Sequence, residues 1–141
     1  MSRIAVQFLD QGLHRVLFDA MPMPVFVVDK NVSIFDYNKA AARLLKKDRK
    51  LVIRQRGGDV LNCVHSPEGP KGCGSAPACR DCTVRKSVQT AARGRRVVRQ
   101  VAQMELVRNG KTARVNLRVS CQPFTYERST FILLVLEGLN E

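Results

Sequence analysis

Aromatic side chains and long apolar runs are scarce in this sequence of 141 residues. It has no tryptophan, two tyrosines and six phenylalanines, which predicts a largely aliphatic hydrophobic core. The longest apolar run, residues 131–136, is far shorter than the roughly 20 residues of a transmembrane helix. The N-terminal residues also lack the apolar stretch of a secretory signal peptide. These absences argue against a membrane span and predict a cytoplasmic protein.

Acidic residues are scarce as well, with 12 aspartates and glutamates against 24 lysines and arginines, a formal net charge of +12. A protein this basic attracts anionic partners, such as nucleic acid or an acidic protein face. The same charges also suit a solvated surface that keeps a small protein dissolved. Much of the excess lies in two clusters, the first with Arg43, Lys46, Lys47, Arg49, Lys50, Arg54 and Arg56, the second with Arg93, Arg95, Arg96 and Arg99.

Motifs for catalysis are also missing. The chain has only two histidines, and neither belongs to a recognisable Ser-His-Asp arrangement. No phosphate-cradling glycine loop and no paired carboxylates stand out. We therefore predict a protein without enzymatic activity.

Residues 4–20 have the periodicity of a helix that packs against another element. Val6, Leu9, Leu13 and Val16 follow a 3-4 spacing, which places them on one face. The two prolines that follow end the helix, because the residue before a proline avoids the helical region. We predict that residues 1–22 form an N-terminal helix whose apolar face caps the domain and contributes a dimer contact.

The rest of the chain, residues 23–141, predicts an α+β domain. Strand patterns occupy residues 24–28, 33–37, 97–107, 112–121 and 131–136, and helix patterns occupy residues 39–46 and 83–93. Strand 97–107 is expected to turn Val98, Ala102, Met104 and Leu106 toward the core. The run 131–136 is apolar on both faces, which indicates a central strand. We expect one five-stranded antiparallel sheet, with helices inserted between its second and third strands.

Four of the five cysteines lie in the glycine- and proline-rich segment 57–82, which has no clear periodicity. The four residues are Cys63, Cys73, Cys79 and Cys82, and the last two form a CxxC pair just before a helix. Intracellular cysteine groups usually bind metal or carry out redox chemistry. Four thiolates satisfy a tetrahedral zinc ion, and they also suit an iron–sulfur cluster. The spacing leaves zinc and iron–sulfur both open.

Two other interpretations of the cysteines remain open, a redox disulfide and a set of unlinked thiols. A thiol–disulfide reductase that uses Cys79 and Cys82 is disfavoured, because the CxxC of such enzymes follows a strand of a βαβ unit. Cys121 lies on the inward face of a predicted strand, where a buried and inert thiol is expected.

The order of elements, headed by MPMPVFVVDKNVSIFDYNKAAARLL, resembles a PAS domain over about residues 14–139. The resemblance implies a sheet of strand order 2-1-5-4-3, helices on one face, and a small-molecule cavity beneath them. It also implies that the helix before the first strand often mediates dimers. The cysteine pattern in GGDVLNCVHSPEGPKGCGSAPACRDCTVRKSV looks like a variant found in some bacterial sensor PAS domains.

The resemblance and the cysteines together predict a sensory signal-transduction module. It would detect a small ligand or a redox state through a Cys-ligated metal or cluster, form a homodimer, and act on a partner signalling protein. Because the sequence ends just after the last predicted strand, we expect either a stand-alone sensor or a piece of a larger receptor. The alternative is a zinc-stapled, basic nucleic-acid-binding protein.

Overall fold

A computed structural model of the chain describes residues 12–139. The helices are α1 (His14–Ala20), α2 (Lys39–Leu45), α3 (Gly57–Leu61) and α4 (Thr83–Ala92), with 3-10 turns at Arg49–Leu51, Ser66–Glu68 and Pro77–Asp81. The strands are β1 (Val25–Val28), β2 (Ile34–Tyr37), β3 (Val97–Arg108), β4 (Lys111–Tyr126) and β5 (Ser129–Glu137). Val6 and Leu9 of the predicted N-terminal helix lie outside the described residues.

The five strands form one antiparallel sheet, as the sequence predicts, and their order β2-β1-β5-β4-β3 is the one that the resemblance implies. β5 lies between β1 and β4, which explains its apolar pattern. Ile132, Leu134 and Leu136 are buried on the helix-covered face, and the alternate residues 131, 133 and 135 are half-buried on the other. The central position of residues 131–136 is confirmed.

The β3–β4 hairpin turns at Asn109 and Gly110, as the sequence predicts. Both residues have positive φ, 53° and 76°, the conformation of a type I′ turn that matches the twist of the flanking strands. β4 is longer than predicted, because its pairing with β5 continues to Tyr126. Leu117, Val119 and Cys121 are buried on its inward face, as predicted.

The prediction for Val98 is wrong, because a β-bulge interrupts β3. Val97 pairs with Cys121 and Gln100 pairs with Val119, so two residues of β3 oppose one residue of β4. Arg99, inside the bulge, has a positive φ of 49°. The extra residue reverses the alternation, and Val98 is 66% exposed while Val97 packs against the core.

The helix α4 covers the sheet with one apolar face. Its residues Val84, Val88 and Ala91 are buried, as predicted, and the helix contacts β3, β4 and β5. Gly94 follows it with a φ of +95°, which lets the chain leave the helix in the left-handed conformation.

Asn38 joins three elements at the start of the sheet and is almost fully buried. Its Oδ1 accepts hydrogen bonds from the backbone N–H groups of Val25 and Ala41, each at 3.0 Å, and so caps α2. Its Nδ2 donates to the carbonyl oxygens of Phe18 and Met23, at 3.1 and 3.0 Å. All four hydrogen-bonding positions of the amide are therefore used within the protein.

Polar contacts hold α1 against the edge of the sheet. Arg15 donates to both carboxylate oxygens of Asp36 on β2, at 3.0 and 2.9 Å, and Arg49 donates to the same carboxylate at 3.2 Å. Burial alone would raise the pKa of Asp36, but the hydrogen bonds from Arg15 and from the Tyr37 amide outweigh it and lower that pKa. The Asp36 carboxylate thus stays charged between two guanidinium groups.

The segment between α2 and α4 is pinned to both edges of the sheet. At β2, the Gln55 carbonyl accepts from Ile34 and the Val32 carbonyl accepts from Gly57. At β3, residues 62–64 pair with residues 105–107 through two backbone hydrogen bonds of 2.8 Å. The segment therefore crosses one face of the sheet as a strap and encloses the space beneath it.

Candidate functional site

A cavity of about 320 Å³ lies between the sheet and the strap. The sheet supplies an apolar wall of Phe26, Val28, Ile34, Met104, Leu134 and Leu136. The strap and the start of α4 supply a wall of a different character, with thiols, glycines and charged groups. Such a combination of an apolar wall and convergent polar groups is typical of a ligand site.

All four cysteines of the predicted set line this cavity. Cys63 follows α3, Cys73 lies in the loop beyond it, Cys79 lies in the last 3-10 turn, and Cys82 immediately precedes α4. Within residues 12–139, however, no three side chains of the His, Cys, Asp or Glu type are grouped closely enough to hold a metal ion. The fold thus brings the four cysteines to the wall of one cavity.

Cys121 stands apart from this group, as predicted. It is buried on β4, and burial raises its pKa to about 12. It is therefore an inert core thiol.

Gly58 lies between the side chains of Cys63 and Cys73 in the strap. A β-carbon added to Gly58 would lie 2.7 Å from the Cys73 sulfur and 3.4 Å from the Cys63 β-carbon. The Gly58 N–H donates to the Cys73 sulfur at 3.3 Å. Only glycine lets the backbone approach this sulfur so closely.

The backbone amides of His65 and Ser66 lie near the Cys63 sulfur and act to lower its pKa. Burial nevertheless raises the pKa of Cys63, and it raises that of Cys73 to about 11. Buried thiols of this kind ionise when a bound cation compensates the charge, because metal ligation requires the thiolate. The Gly58 N–H already donates to the Cys73 sulfur, which would carry the negative charge of such a thiolate.

Asp59 fixes the loop that carries Cys73, a role that sequence reasoning missed. Its Oδ1 accepts from the Cys73 N–H at 2.8 Å and from the Ser66 hydroxyl. The carboxylate thereby ties the turn after Cys63 to the turn that holds Cys73. Its place after the Gly57-Gly58 pair is visible in the sequence, but its partners lie 7 and 14 residues away.

Guanidinium groups approach the cavity from two sides. Arg56 donates to the Cys73 carbonyl at 2.6 Å, and a β-carbon on Gly74 would lie 3.5 Å from both Arg56 Nη1 and Arg85 Nε. Arg85 and Arg114 also line the cavity wall. The carboxylates of Asp81 and Glu105 line the same cavity, so charges of both signs border the thiols.

Several residues of the first basic cluster make contacts within the fold while their side chains stay at the surface. Arg49 pairs with Asp36, Arg54 stacks over the Phe35 ring at 4.1 Å, Arg56 binds the Cys73 carbonyl, and Lys47 donates to the Val60 carbonyl at 2.9 Å. In the second cluster, Arg99 pairs with Glu137 at 3.2 Å. Binding of nucleic acid or of an acidic protein face stays a prediction.

The PAS domain family, compared as a sequence profile, matches residues 12–77. The chain has the PAS fold. Cys79 and Cys82 lie beyond the matched residues. The structural similarity between this chain and solved PAS domains, in contrast, extends over the whole sheet. No curated protein matches the sequence.

Solved PAS domains have the same fold at low sequence identity. The PAS domain of nitrogen regulation protein NR(II) from Vibrio parahaemolyticus is 16% identical, with a TM-score of 0.60, over 91% of this chain and 99% of that one. The PAS domain of Bordetella pertussis BvgS is 17% identical, with a TM-score of 0.55, over 99% and 89%. The PAS domain of an HTR-like protein from Haloarcula marismortui is 17% identical, with a TM-score of 0.55, over 88% and 92%.

PAS domains are typical sensory modules of signal transduction, so the broad prediction of a sensor agrees with these comparisons. Among residues 12–139, no helix combines the length and the apolar character needed to cross a bilayer.

Proposed function

We propose that this PAS domain is a non-enzymatic sensor that responds to a small ligand or a redox change through a metal or cluster held by Cys63, Cys73, Cys79 and Cys82. The observation that carries the proposal is their common position: four cysteines from four separate parts of the strap line one cavity. Thiolates are the preferred protein ligands of zinc and of iron–sulfur clusters.

The make-up of the strap supports a bound group. Residues 57–82 contain only one five-residue helix and two short 3-10 turns, so no long helix or strand orders them. Ordering a backbone costs roughly 1–2 kcal/mol per residue. Metal–thiolate bonds release about 10–16 kcal/mol in small structural zinc sites, enough to offset much of that cost.

The structure offers a route from the site to the sheet. Cys82 is the residue before α4, and the helix packs through Val84 and Val88 on the strands that form the core. A change in the bonding of Cys79 or Cys82 would shift the first turn of α4. The sheet under that helix would then present a different surface to a partner signalling protein, in the cytoplasm by our proposal.

The proposal is tested by metal analysis of the full chain purified without oxygen. We expect bound zinc or iron, and we expect four of the five cysteines to become alkylated faster once a chelator has removed the metal. Cys121 should stay unreactive until the protein unfolds. Protein without zinc or iron, or with disulfides among the four cysteines, would contradict metal ligation.

We also propose a homodimer in which α1 takes part. Leu13 is half-buried, but Val16 and Leu17 are 56% and 57% exposed. The two side chains form an apolar surface that the described residues 12–139 leave exposed to solvent.

Replacing both Val16 and Leu17 with glutamate should convert the dimer to a monomer, because the charges would oppose burial at the interface. Light scattering measures the mass, and exposed positions of this kind tolerate substitution within about 0.5 kcal/mol. Val101→Glu is a matched control, since Val101 is 58% exposed on β3, the sheet edge opposite the β2 strand that Arg15 of α1 contacts. A native chain that is already monomeric, or a Val101→Glu variant that dissociates equally, would refute this interface.

A further inference from the structure

We infer that the outer edge of β3 binds an extended, acidic segment of the partner signalling protein as an additional strand. The inference rests on the proposed function only in that it assumes such a partner. Three features carry it: backbone groups that the described residues leave unpaired, exposed valines beside them, and arginines without a carboxylate partner.

The strap covers only part of this edge. β3 is the last strand in the order of the sheet. The Glu105 carbonyl accepts from the Val64 N–H, and the Val107 N–H donates to the Asn62 carbonyl, each at 2.8 Å. In the described part of the chain, no backbone hydrogen bond joins the strap to β3 before Glu105. Residues 100–104 therefore form an open edge.

Val101 and Gln103 present their backbone groups on this open edge. Successive residues of an antiparallel strand direct their N–H and C=O groups to opposite sides. Glu105 directs its carbonyl to the strap, so Val101 and Gln103, at even spacings from it, face the same way. No residue of 12–139 outside the sheet bonds to these groups, and both side chains are exposed. Unpaired edge groups of this kind are a template for a further strand.

Exposed valines give the edge an apolar contact surface. Val101 is 58% exposed, and Val98, in the bulge just before the open edge, is 66% exposed. Ala102 and Met104 are buried, so Val101 stands on the opposite, outer face of the sheet. Paired side chains of neighbouring strands stabilise a sheet. A bound segment with apolar residues at alternate positions would cover Val101.

The charge around the edge selects an acidic partner. Four exposed arginines lie just before the open edge: Arg93, Arg95, Arg96 and Arg99. Arg99 pairs with Glu137, but no carboxylate of the described residues pairs with Arg95 or Arg96. A second copy of the chain would bring its own arginines to the same edge, and like charges on paired strands repel. An acidic strand would meet opposite charge instead.

The open edge also borders the cavity. Gln103 and Met104 line the cavity together with Arg85 of α4. A strand bound at residues 100–104 would therefore lie beside the site that holds the cysteines. A change at this wall would alter the edge that the partner binds, which couples the site to docking.

The deciding experiment measures the binding of a synthetic peptide to the full chain by fluorescence anisotropy. The peptide alternates glutamate and valine, and its matched control carries methyl groups on the backbone nitrogens, which keeps the charge but removes the donors. We expect the control to bind at least about tenfold more weakly, because it cannot pair with Val101 and Gln103. Equal binding of the two peptides, or no binding of the first, would overturn strand addition.

Hydrogen exchange locates the bound peptide. We expect the amides of Val101 and Gln103 to exchange at least about tenfold more slowly once the peptide is bound. Slow exchange of both amides in the chain alone would show that the edge is already paired, and the inference would fail.

Val101→Pro removes the outward N–H, a position at which an edge strand tolerates proline. Val101→Ala keeps that N–H and is the matched control. We expect Val101→Pro to abolish peptide binding and Val101→Ala to retain most of it. Equal binding by the two variants would contradict pairing at this residue. If Val101→Pro does not fold, the methylated peptide still decides.

Replacing both Arg95 and Arg96 with glutamine should weaken peptide binding by about fivefold, since exposed ion pairs contribute modestly. The same change at Lys30 and Lys50, which are exposed near the opposite edge of the sheet, removes an equal charge. An equal loss in both double variants would mean that the peptide responds to net charge alone, and the arginines would not select it.

Other occupants of the edge give different results. A lower mass of Val101→Pro in light scattering would assign the edge to a second copy, and tighter binding of single-stranded DNA than of the peptide would assign the arginines to nucleic acid. Either result overturns the inference. Peptide binding to a chain without metal would keep the docking edge and refute the metal-based sensor, whereas bound metal without peptide binding would do the reverse.

Discussion

Serine in place of Cys79 or Cys82 is expected to abolish metal binding and to lower the free energy of unfolding by about 4 kcal/mol, the stabilisation that a ligand gives at a thousandfold excess over its Kd. Both residues lie where the strap meets α4, so the loss should loosen the strap and the first turn of the helix. Urea unfolding gives the free energy, and hydrogen exchange of residues 57–86 locates the change. A chelator should reproduce the effect in the native chain.

Cys121→Ser is the control for this experiment. Cys121 is as buried as the core around it, but it lies on β4 outside the cavity. We expect Cys121→Ser to leave the metal content and the hydrogen exchange of the strap unchanged. Its own effect on the free energy of unfolding should be small and confined to the core. If Cys79→Ser and Cys121→Ser had the same effect on the strap, the strap would owe its order to packing and not to a bound group.

Asn38→Ala is expected to destabilise the domain by about 3 kcal/mol, because it removes the side-chain acceptor of two buried N–H groups, and a buried group left without a partner costs about 1–3 kcal/mol. The Val25 and Ala41 amides and the Phe18 and Met23 carbonyls all lose a hydrogen bond. The midpoint of urea unfolding measures the effect.

Two further variants separate the hydrogen bonds of Asn38 from its volume. Asn38→Asp keeps the side-chain size and the acceptor oxygens but loses both donors, so we expect it to remain clearly destabilised. Asn31→Ala, at an exposed turn position, should change stability by less than about 0.5 kcal/mol. An Asn38→Asp variant as stable as the native chain would show that the donated hydrogen bonds contribute little.

Much of the fold could be predicted because the deciding interactions are local in sequence. The alternation of Leu117, Val119 and Cys121 follows from the pleat of one strand, and the hairpin at Asn109 and Gly110 follows from their tolerance of positive φ. Val98 shows where prediction from the pattern of a single strand fails. Its exposure depends on a bulge that exists only through the pairing of β3 with β4, and periodicity within one strand does not reveal it.

The candidate site, like the fold, could be predicted from the sequence only in part. The cysteines are recognisable by type and spacing, and the pair Gly57-Gly58 is conspicuous beside them. Three contacts of the site join residues that are distant in sequence or lie on different elements. Gly58 faces the Cys73 sulfur, Asp59 links two turns, and Arg85 lies in the cavity wall. No periodicity or composition encodes such contacts, because each partner is chosen by the path of the strap across the sheet.

The manner in which α1 is attached has a mechanical consequence. None of its residues His14–Ala20 is buried, and it is held by Arg15 on Asp36 and by Asn38 on the Phe18 carbonyl. Lifting this helix would exchange polar contacts for water and would uncover little of the core. Displacement of α1 would therefore break mainly polar contacts and would leave the packing of the sheet around its cavity in place.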